Sequence, residues 1–338
     1  MRIVIDAMGG DSAPEVPIAG ALAALQEFEG IEIVLVGDEP HVRRTLGTRD
    51  PGTRLALHHA SEHVSMEETP TLGLRKKDSS ISVGLRLLRD GGADAFFSAG
   101  NTGAVMAQSI LTLGRIPGVS RPAIATIFPT KRELCILMDV GANVDCKPSH
   151  LVQFAKMGCV YARDIFRVER PRVGLLSNGE EAGKGNEQTR EAHAELSATE
   201  LNFVGNVEGR DILNGAADVI VTDGFIGNIL LKFSESVLDF INFGMKNELA
   251  GSPLARAGAL LLKPALRRMR RRLDYAEYGG APLLGVNGIS IIGHGRSSAK
   301  AVKNAIRAAK ISAEQDLNGD LMREFERLEP ARRGAGAG

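Results

Sequence analysis

Glycine follows strand after strand in this sequence. Short apolar, β-branched runs are followed within a few residues by glycine and small polar side chains, at Gly9 and Gly10, Gly37, Gly100 and Gly103, Gly141, Gly179, Gly224 and Gly227, and Gly293 and Gly295. A helical pattern then begins. This repeated unit reads as an α/β chain, and strands with little internal alternation are those buried on both faces of a largely parallel sheet. Strands are expected at 3–5, 31–36, 54–58, 93–98, 123–128, 134–140, 172–176, 219–222 and 289–292, and helices near 16–28, 81–89, 102–113, 148–165, 187–198, 226–248 and 298–316. In an open sheet of this kind the ligand crevice lies at the carboxyl ends of the strands. The glycine turns are therefore expected to converge on one pocket.

Composition narrows the function. Forty-one basic and 41 acidic residues cancel, and 12 Phe, 3 Tyr and no Trp leave little to stack on bases, so no nucleic-acid partner is expected. No run of 18 apolar residues is present, and Met1-Arg2-Ile3-Val4-Ile5-Asp6 has no signal-peptide layout, so a cytoplasmic protein is expected. Cys135, Cys146 and Cys159 lack metal-ligand spacing; no metal and no cofactor are expected.

Several turns carry chemistry. Asp6, Gly9, Gly10 and Asp11 precede a helix, where main-chain N–H groups approach an anion; a capped tight turn is the other reading. Arg75-Lys76-Lys77-Asp78-Ser79-Ser80 leads into a helix and suits phosphate, or is a solvated charge run with Asp78 or Ser79 as cap. Asn101 and Thr102 cap a helix or donate to a bound oxygen. Asp139, Asn143, Asp145, Cys146 and Lys147 crowd one turn after a buried strand. The run Gly179–Asn186 lacks the hydroxyl residue of a P-loop after Lys184, although that lysine could still reach an anion. Asn206, Asp223 and Asn228 lie at two further turns. Ser298 stands where a dinucleotide fingerprint starting at Gly293 needs glycine, and His294 is the one histidine in such a turn.

Together the stretches DAMGGD (6–11), KKDSS (76–80), GNTGA (100–104), DVGANVDCKP (139–148), NGEEAGKGN (178–186), GNVEGRDI (205–212), DGFIGN (223–228) and DYAEYGGAPLLGVNG (274–288) resemble the bacterial acyl-[acyl-carrier-protein]:phosphate acyltransferase family of phospholipid synthesis. The resemblance covers almost the whole chain; residues 69–75, with Gly73 in a presumed helix, depart from it. It implies conversion of a fatty acyl thioester on acyl carrier protein, plus inorganic phosphate, into acyl phosphate. It further implies a homodimer, supply of a membrane glycerol-3-phosphate acyltransferase, and a three-layer α/β/α fold like that of phosphotransacetylase or isopropylmalate dehydrogenase. On this view 1–328 form one catalytic domain, 229–275 a protruding helical excursion for dimerisation and membrane contact, and 329–338 a flexible tail.

The residues suit that reaction. Phosphate is already a nucleophile near neutral pH, and a thiol leaves readily, so positioning and charge stabilisation matter most. Lys77, Ser79, Ser80 and Lys184 are expected to hold phosphate. Asn101, Asn143 and Asn228 are candidate oxyanion donors, Asp139 and Asp223 orienting groups, and His294 a proton donor to sulfur. A Cys146 acyl-enzyme is the rival mechanism.

Between Ser252 and Leu273 lie seven cations (Arg256, Lys263, Arg267, Arg268, Arg270, Arg271 and Arg272) and no acid, with apolar residues at helical spacing; Pro264 is expected to divide the segment into two helices. Leu260, Leu261 and Leu262 are expected to enter an anionic membrane surface at the inner face of the cell membrane, with Arg267 and Arg271 near headgroups or carrier protein. A dimer-interface helix with a solvated basic face is the plain alternative. Two other functions are weighed: a metal- and NAD-dependent 2-hydroxyacid dehydrogenase on a related fold, and a scaffold without chemistry.

Overall fold

A computed structural model of the chain describes residues 1–49, 52–250, 258, 260–266, 268, 269, 277 and 279–327. Its strands are β1 (Arg2–Asp6), β2 (Glu32–Gly37), β3 (Leu55–His59), β4 (Ala95–Ser98), β5 (Ala123–Pro129), β6 (Leu134–Met138), β7 (Arg172–Leu176), β8 (Asn202–Val207), β9 (Val219–Val221), β10 (Ala281–Leu284) and β11 (Ile289–Ile292). The helices include α1 (Glu15–Glu27), α2 (Glu39–Leu46), α3 (Pro70–Gly73), α4 (Ser80–Arg89), α5 (Thr102–Leu113), α6 (Pro148–Phe166), α7 (Glu187–Ser197), α8 (Gly209–Asn214), α9 (Gly224–Ala250), α10 (Ala299–Glu314) and α11 (Leu317–Glu326).

The strands form one sheet in the order β3-β2-β1-β4-β11-β10-β5-β6-β9-β7-β8. Alternate strand residues feed opposite faces. Val4, Val34, Phe96, Leu137, Ile220 and Ile292 share a core with Leu85 of α4, Val105 of α5, Ile212 of α8 and Leu230 of α9. On the other face Ile3, Ile33 and Phe97 pack with α1, α2 and α10, while Ile136, Val173 and Val219 pack with α6, α7 and α11. The result is three layers, α/β/α.

The sheet is largely parallel, as foreseen above, and it falls into two parallel blocks. β3, β2, β1, β4 and β11 run parallel to one another, as do β6, β9, β7 and β8, but the two blocks run in opposite directions. β10 is antiparallel to both of its neighbours, and β5 is antiparallel to β6. The connection Thr130–Glu133 is far too short for a crossover, so β5 and β6 must form a hairpin; Thr130 Oγ1 accepts from the N–H groups of Arg132 and Glu133 within it.

Other elements also differ from expectation. β8, β10, α2, α8 and α11 were not foreseen, and the helix expected over 298–316 ends at Glu314, before Asp316 turns left-handed at φ 52°. Gly73 closes the short α3 against Val64 and Ala104, which accounts for its place in the departing segment. Residues 260–266 are helical through Pro264, which is accommodated rather than dividing the helix there. Arg267, Arg271, most of DYAEYGG and the tail 329–338 lie outside the described residues.

Candidate active site

The glycine turns do not meet at one point within the chain, and this corrects the single pocket expected above. Because the two parallel blocks run oppositely, the turns after β1, β4 and β11 gather at one end of the sheet, and those after β6, β9, β7 and β8 at the other.

At the first end Asp6 is the hub. Its Oδ1 accepts from Met8 N at 3.0 Å and its Oδ2 from Ser98 Oγ at 2.6 Å; Ser98 Oγ in turn accepts from Gly100 N at 3.0 Å. Burial raises the pKa of Asp6, while the neighbouring hydroxyls of Ser80 and Ser98 favour the carboxylate. A Cβ at Gly9 would stand 2.6 Å from Asp6 Oδ2, so only glycine lets the turn close over the carboxylate. Gly10 and Asp11 continue into the turn after β11, where Asp11 N donates to Gly295 O at 2.9 Å. Ser79 caps α4 through Ser82 N, and Ser80, 1% exposed, lies sealed beside Asp6 with its Oγ lacking a hydrogen bond within ordinary limits.

The cations there divide. Lys77 is exposed, whereas Lys76 donates to Glu68 at 2.6 Å and to His63 O at 2.8 Å. Asn101 accepts from Ala104 N as the cap of α5, and its Nδ2 donates to Met66 O and Glu68 O. Its amide protons are thereby engaged, which corrects its role as a ready oxyanion donor; Thr102 beside it is exposed. His294 Nδ1 accepts from Arg296 N at 3.1 Å, and its Nε2 lies 4.0 Å from Glu235 Oε2.

At the other end Asp139 is buried and accepts five hydrogen bonds, from the N–H groups of Ile124, Gly141, Ala142 and Asn143 and from Asn143 Nδ2, at 2.7–3.3 Å. Burial raises its pKa against the pull of those donors. Asn143 Nδ2 also reaches Pro122 O at 2.8 Å, so this amide too is occupied in shaping the turn and is not a free oxyanion donor. Asp223 Oδ1 accepts from Ile226 N and starts α9. That helix rests directly on the Asp139 turn: a Cβ at Gly227 would fall 1.8 Å from Asp139 O. Asn228 flanks Gly141 at the start of α9. Cys146 Sγ donates to Asn143 O at 3.5 Å, and burial, followed by the charges of Asp139 and Asp223, pushes its thiol up to about 12, which leaves almost no thiolate for an acyl-enzyme.

Next along the sheet, Lys184 stands exposed on the turn after β7, and Asn206 is buried at the end of β8 with its Nδ2 donating to Glu181 O at 2.8 Å. β1 and β7 are seven positions apart in the sheet, on the order of 30 Å at the usual strand spacing. One phosphate ion cannot touch both Ser80 and Lys184 of the same chain. α9 links the two ends: from Gly224 on the Asp139 turn to Glu235 beside His294 it rises about 17 Å. Ser98 and Glu235 were missed in the sequence; a serine closing the buried strand AFFS was the available signal for the first, and Glu235 had none.

The family model described as "Fatty acid synthesis protein" matches residues 1–319. A protein named phosphate acyltransferase from Pelotomaculum thermopropionicum is 52% identical over 330 residues, covering 97% of this chain and 96% of that relative. Its namesake from Myxococcus xanthus is 52% identical over 329 residues, covering 96% and 93%. Among solved structures, a phosphotransacetylase from Streptococcus pyogenes superposes with a TM-score of 0.61 at 18% identity, covering 93% of this chain and 94% of its own. A branched-chain phosphotransacylase from Enterococcus faecalis gives 0.59 at 13% identity, covering 93% and 99%. These two likenesses show the fold alone.

Proposed function

This chain belongs to the fatty acid synthesis protein family, and from that premise we propose that it transfers a fatty acyl group from the thioester of an acyl carrier protein to inorganic phosphate, giving acyl phosphate and the free carrier thiol. The observation that carries this reading is near full-length identity, at about half of all positions, with relatives named phosphate acyltransferase. The dehydrogenase and scaffold readings give way to it.

The reaction centre is assigned to the end of the sheet that holds Asp139. Phosphate sits between Lys184 and the N-terminus of α9, where main-chain N–H groups and the helix dipole favour an anion. A phosphate oxygen attacks the thioester carbon, the C–S bond breaks, and the electron pair leaves on sulfur. Asn228 faces the oxyanion that forms. Asp139 and Asp223 do not touch the reactants: they hold the 139–143 turn and the start of α9 in place. At the opposite end of the sheet, the exposed Lys77 and Thr102 with the Gly9–Gly10 turn remain an anion-binding surface for another part of the acyl donor or its carrier, while the buried Asp6, Ser79 and Ser80, expected from the sequence to bind the anion directly, shape the turns beneath it.

Two surface features support the assembly. Phe225, Ile229, Phe233, Val237 and Phe240 line α9 at helical spacing and are all exposed; a second copy of the same helix covers them in the proposed homodimer. Leu260, Leu261 and Leu262 are exposed together within a helical segment flanked by cations. No helix among the described residues is long and apolar enough to cross a membrane; the three leucines suit peripheral contact with the anionic inner face. From there a cytoplasmic enzyme can pass acyl phosphate to a membrane glycerol-3-phosphate acyltransferase. The test is incubation with acyl-carrier-protein thioester, with and without phosphate, followed by hydroxylamine trapping. Phosphate-dependent hydroxamate is expected; an equal yield without phosphate would refute the reading.

A further inference from the structure

Three side-chain atoms at the ends of β7 and β8 are sealed from solvent without a hydrogen-bond partner: Ser177 Oγ, Gln188 Nε2 and Asn206 Oδ1. Their placement follows from register. Leu176 lies opposite Val207, and both pack into the core on the side of α8 and α9. By alternation Ser177 and Asn206 face the other side, which α7 covers; the ladder continues through Ser177 N, which donates to Val207 O at 2.9 Å. Gln188 stands one and two turns ahead of Ala192 and Leu196, the buried stripe of α7, so it faces the same strand ends.

The chemistry of the group is mixed. Asn206 is only 5% exposed, and its Nδ2 is engaged by Glu181 O, so a carbonyl oxygen is what it offers. Gln188 offers an N–H donor, and Ser177 either role. Phosphate near neutral pH is mostly a dianion with three charged acceptor oxygens and a single P–O–H donor, so it matches the Asn206 carbonyl oxygen less well than a neutral ligand with a balanced donor and acceptor does. A secondary amide presents one N–H and one C=O and satisfies both ends of the group. We propose that Ser177, Gln188 and Asn206, beside Lys184, bind an amide of the pantetheine-type arm that bears the thioester. The inference rests on acyl transfer from a carrier thioester, as proposed above. The Asp139 turn after β6 lies two strand positions from β7, about 10 Å, within reach of an arm with two amides in series from its sulfur.

The experiment uses the full chain with phosphate and three thioesters of one fatty acid: of pantetheine, with two amides, of N-acetylcysteamine, with one, and of ethanethiol, with none. The unmodified protein is expected to favour the pantetheine ester over the ethanethiol ester at least about tenfold in kcat/KM. Asn206→Leu, and Gln188→Glu, which keeps shape while replacing a donor with an acceptor, should each erase most of that preference, with thermal melts confirming the fold. A uniform loss on all three esters, or a raised KM for phosphate in Asn206→Leu, would overturn the assignment while leaving the acyltransferase reading intact. No phosphate-dependent turnover of any ester by the unmodified protein would bring down both.

Discussion

A methyl group at Gly227 would sit 1.8 Å from Asp139 O, and one at Gly224 would sit 2.7 Å from Asn143 O. Neither main-chain oxygen can yield without moving the turn that carries Asn143. Gly227→Ala is therefore expected to lower stability by about 3 kcal/mol, typical of a severe overpacking strain, and turnover by roughly 100-fold; denaturant unfolding and the hydroxamate assay measure the two. On the proposed reading, Lys184→Ala removes the cation beside phosphate, together with the contact its stem makes over Gly179 in the same exposed turn. Its KM for phosphate should rise about tenfold or more, as expected for loss of a charge-assisted contact, and an unchanged KM would remove Lys184 from the site. Asp164 is a different case, far from the chemistry. Its Oδ2 is buried without a partner; burial, then the charge of Asp320, pushes its pKa up to about 6, partly offset by Arg163 and Arg167. A raised acid is neutral in both folded and unfolded chains below about pH 4, and penalises the fold increasingly as pH rises toward 6. Asp164→Asn should stabilise the protein by about 1 kcal/mol at pH 7.5, after discounting for solvent screening, and by almost nothing at pH 4. Urea titrations at the two pH values decide this.

At the scale of elements, α9 carries the most consequence. It is 27 residues long, about 40 Å, and only its first half packs on the core. Phe240 is 75% exposed; apolar surface on this scale is normally covered. The double substitution Phe233→Glu and Phe240→Glu should convert a dimer to a monomer in sedimentation equilibrium, and a dimer that persists would move the interface elsewhere. The same helix shows what could be read from residues alone. Its span was legible within two residues at each end because an apolar stripe persists. β8 was not, since Asn202, Gly205 and Asn206 break any apolar run in an edge strand. β10 is four residues long and contains Pro282, a strong argument against a strand until its neighbours are known. Asp139 and Asn143 were legible as a dense polar turn. That their donors and acceptors are consumed in building the turn was not, because hydrogen-bond partners such as Pro122 are set by the fold and not by local sequence.

For the whole molecule, strand direction was the feature least open to inference. Apolar β-branched runs look alike whichever way they point, and only the four-residue hairpin between β5 and β6 signalled the reversal. That reversal moves the two sets of turns to opposite ends and makes α9 the connection between them. Leu261, 85% exposed, marks the edge from which the protein would meet lipid. Leu261→Glu is expected to reduce co-sedimentation with anionic liposomes several-fold, as charge placed in a bilayer interface does, with retained binding arguing for carrier protein there instead.

The sheet order has a bearing on synthesis as well. β10 and β11 come near the end of the chain yet lie between β4 and β5, in the middle of the sheet. Until the ribosome has delivered residue 292, a nascent chain holds two half-sheets with open inner edges, each a template for pairing with a neighbour on the same message. Translation halted after Gly280 should thus yield aggregates, and chaperone demand should peak in that interval of elongation.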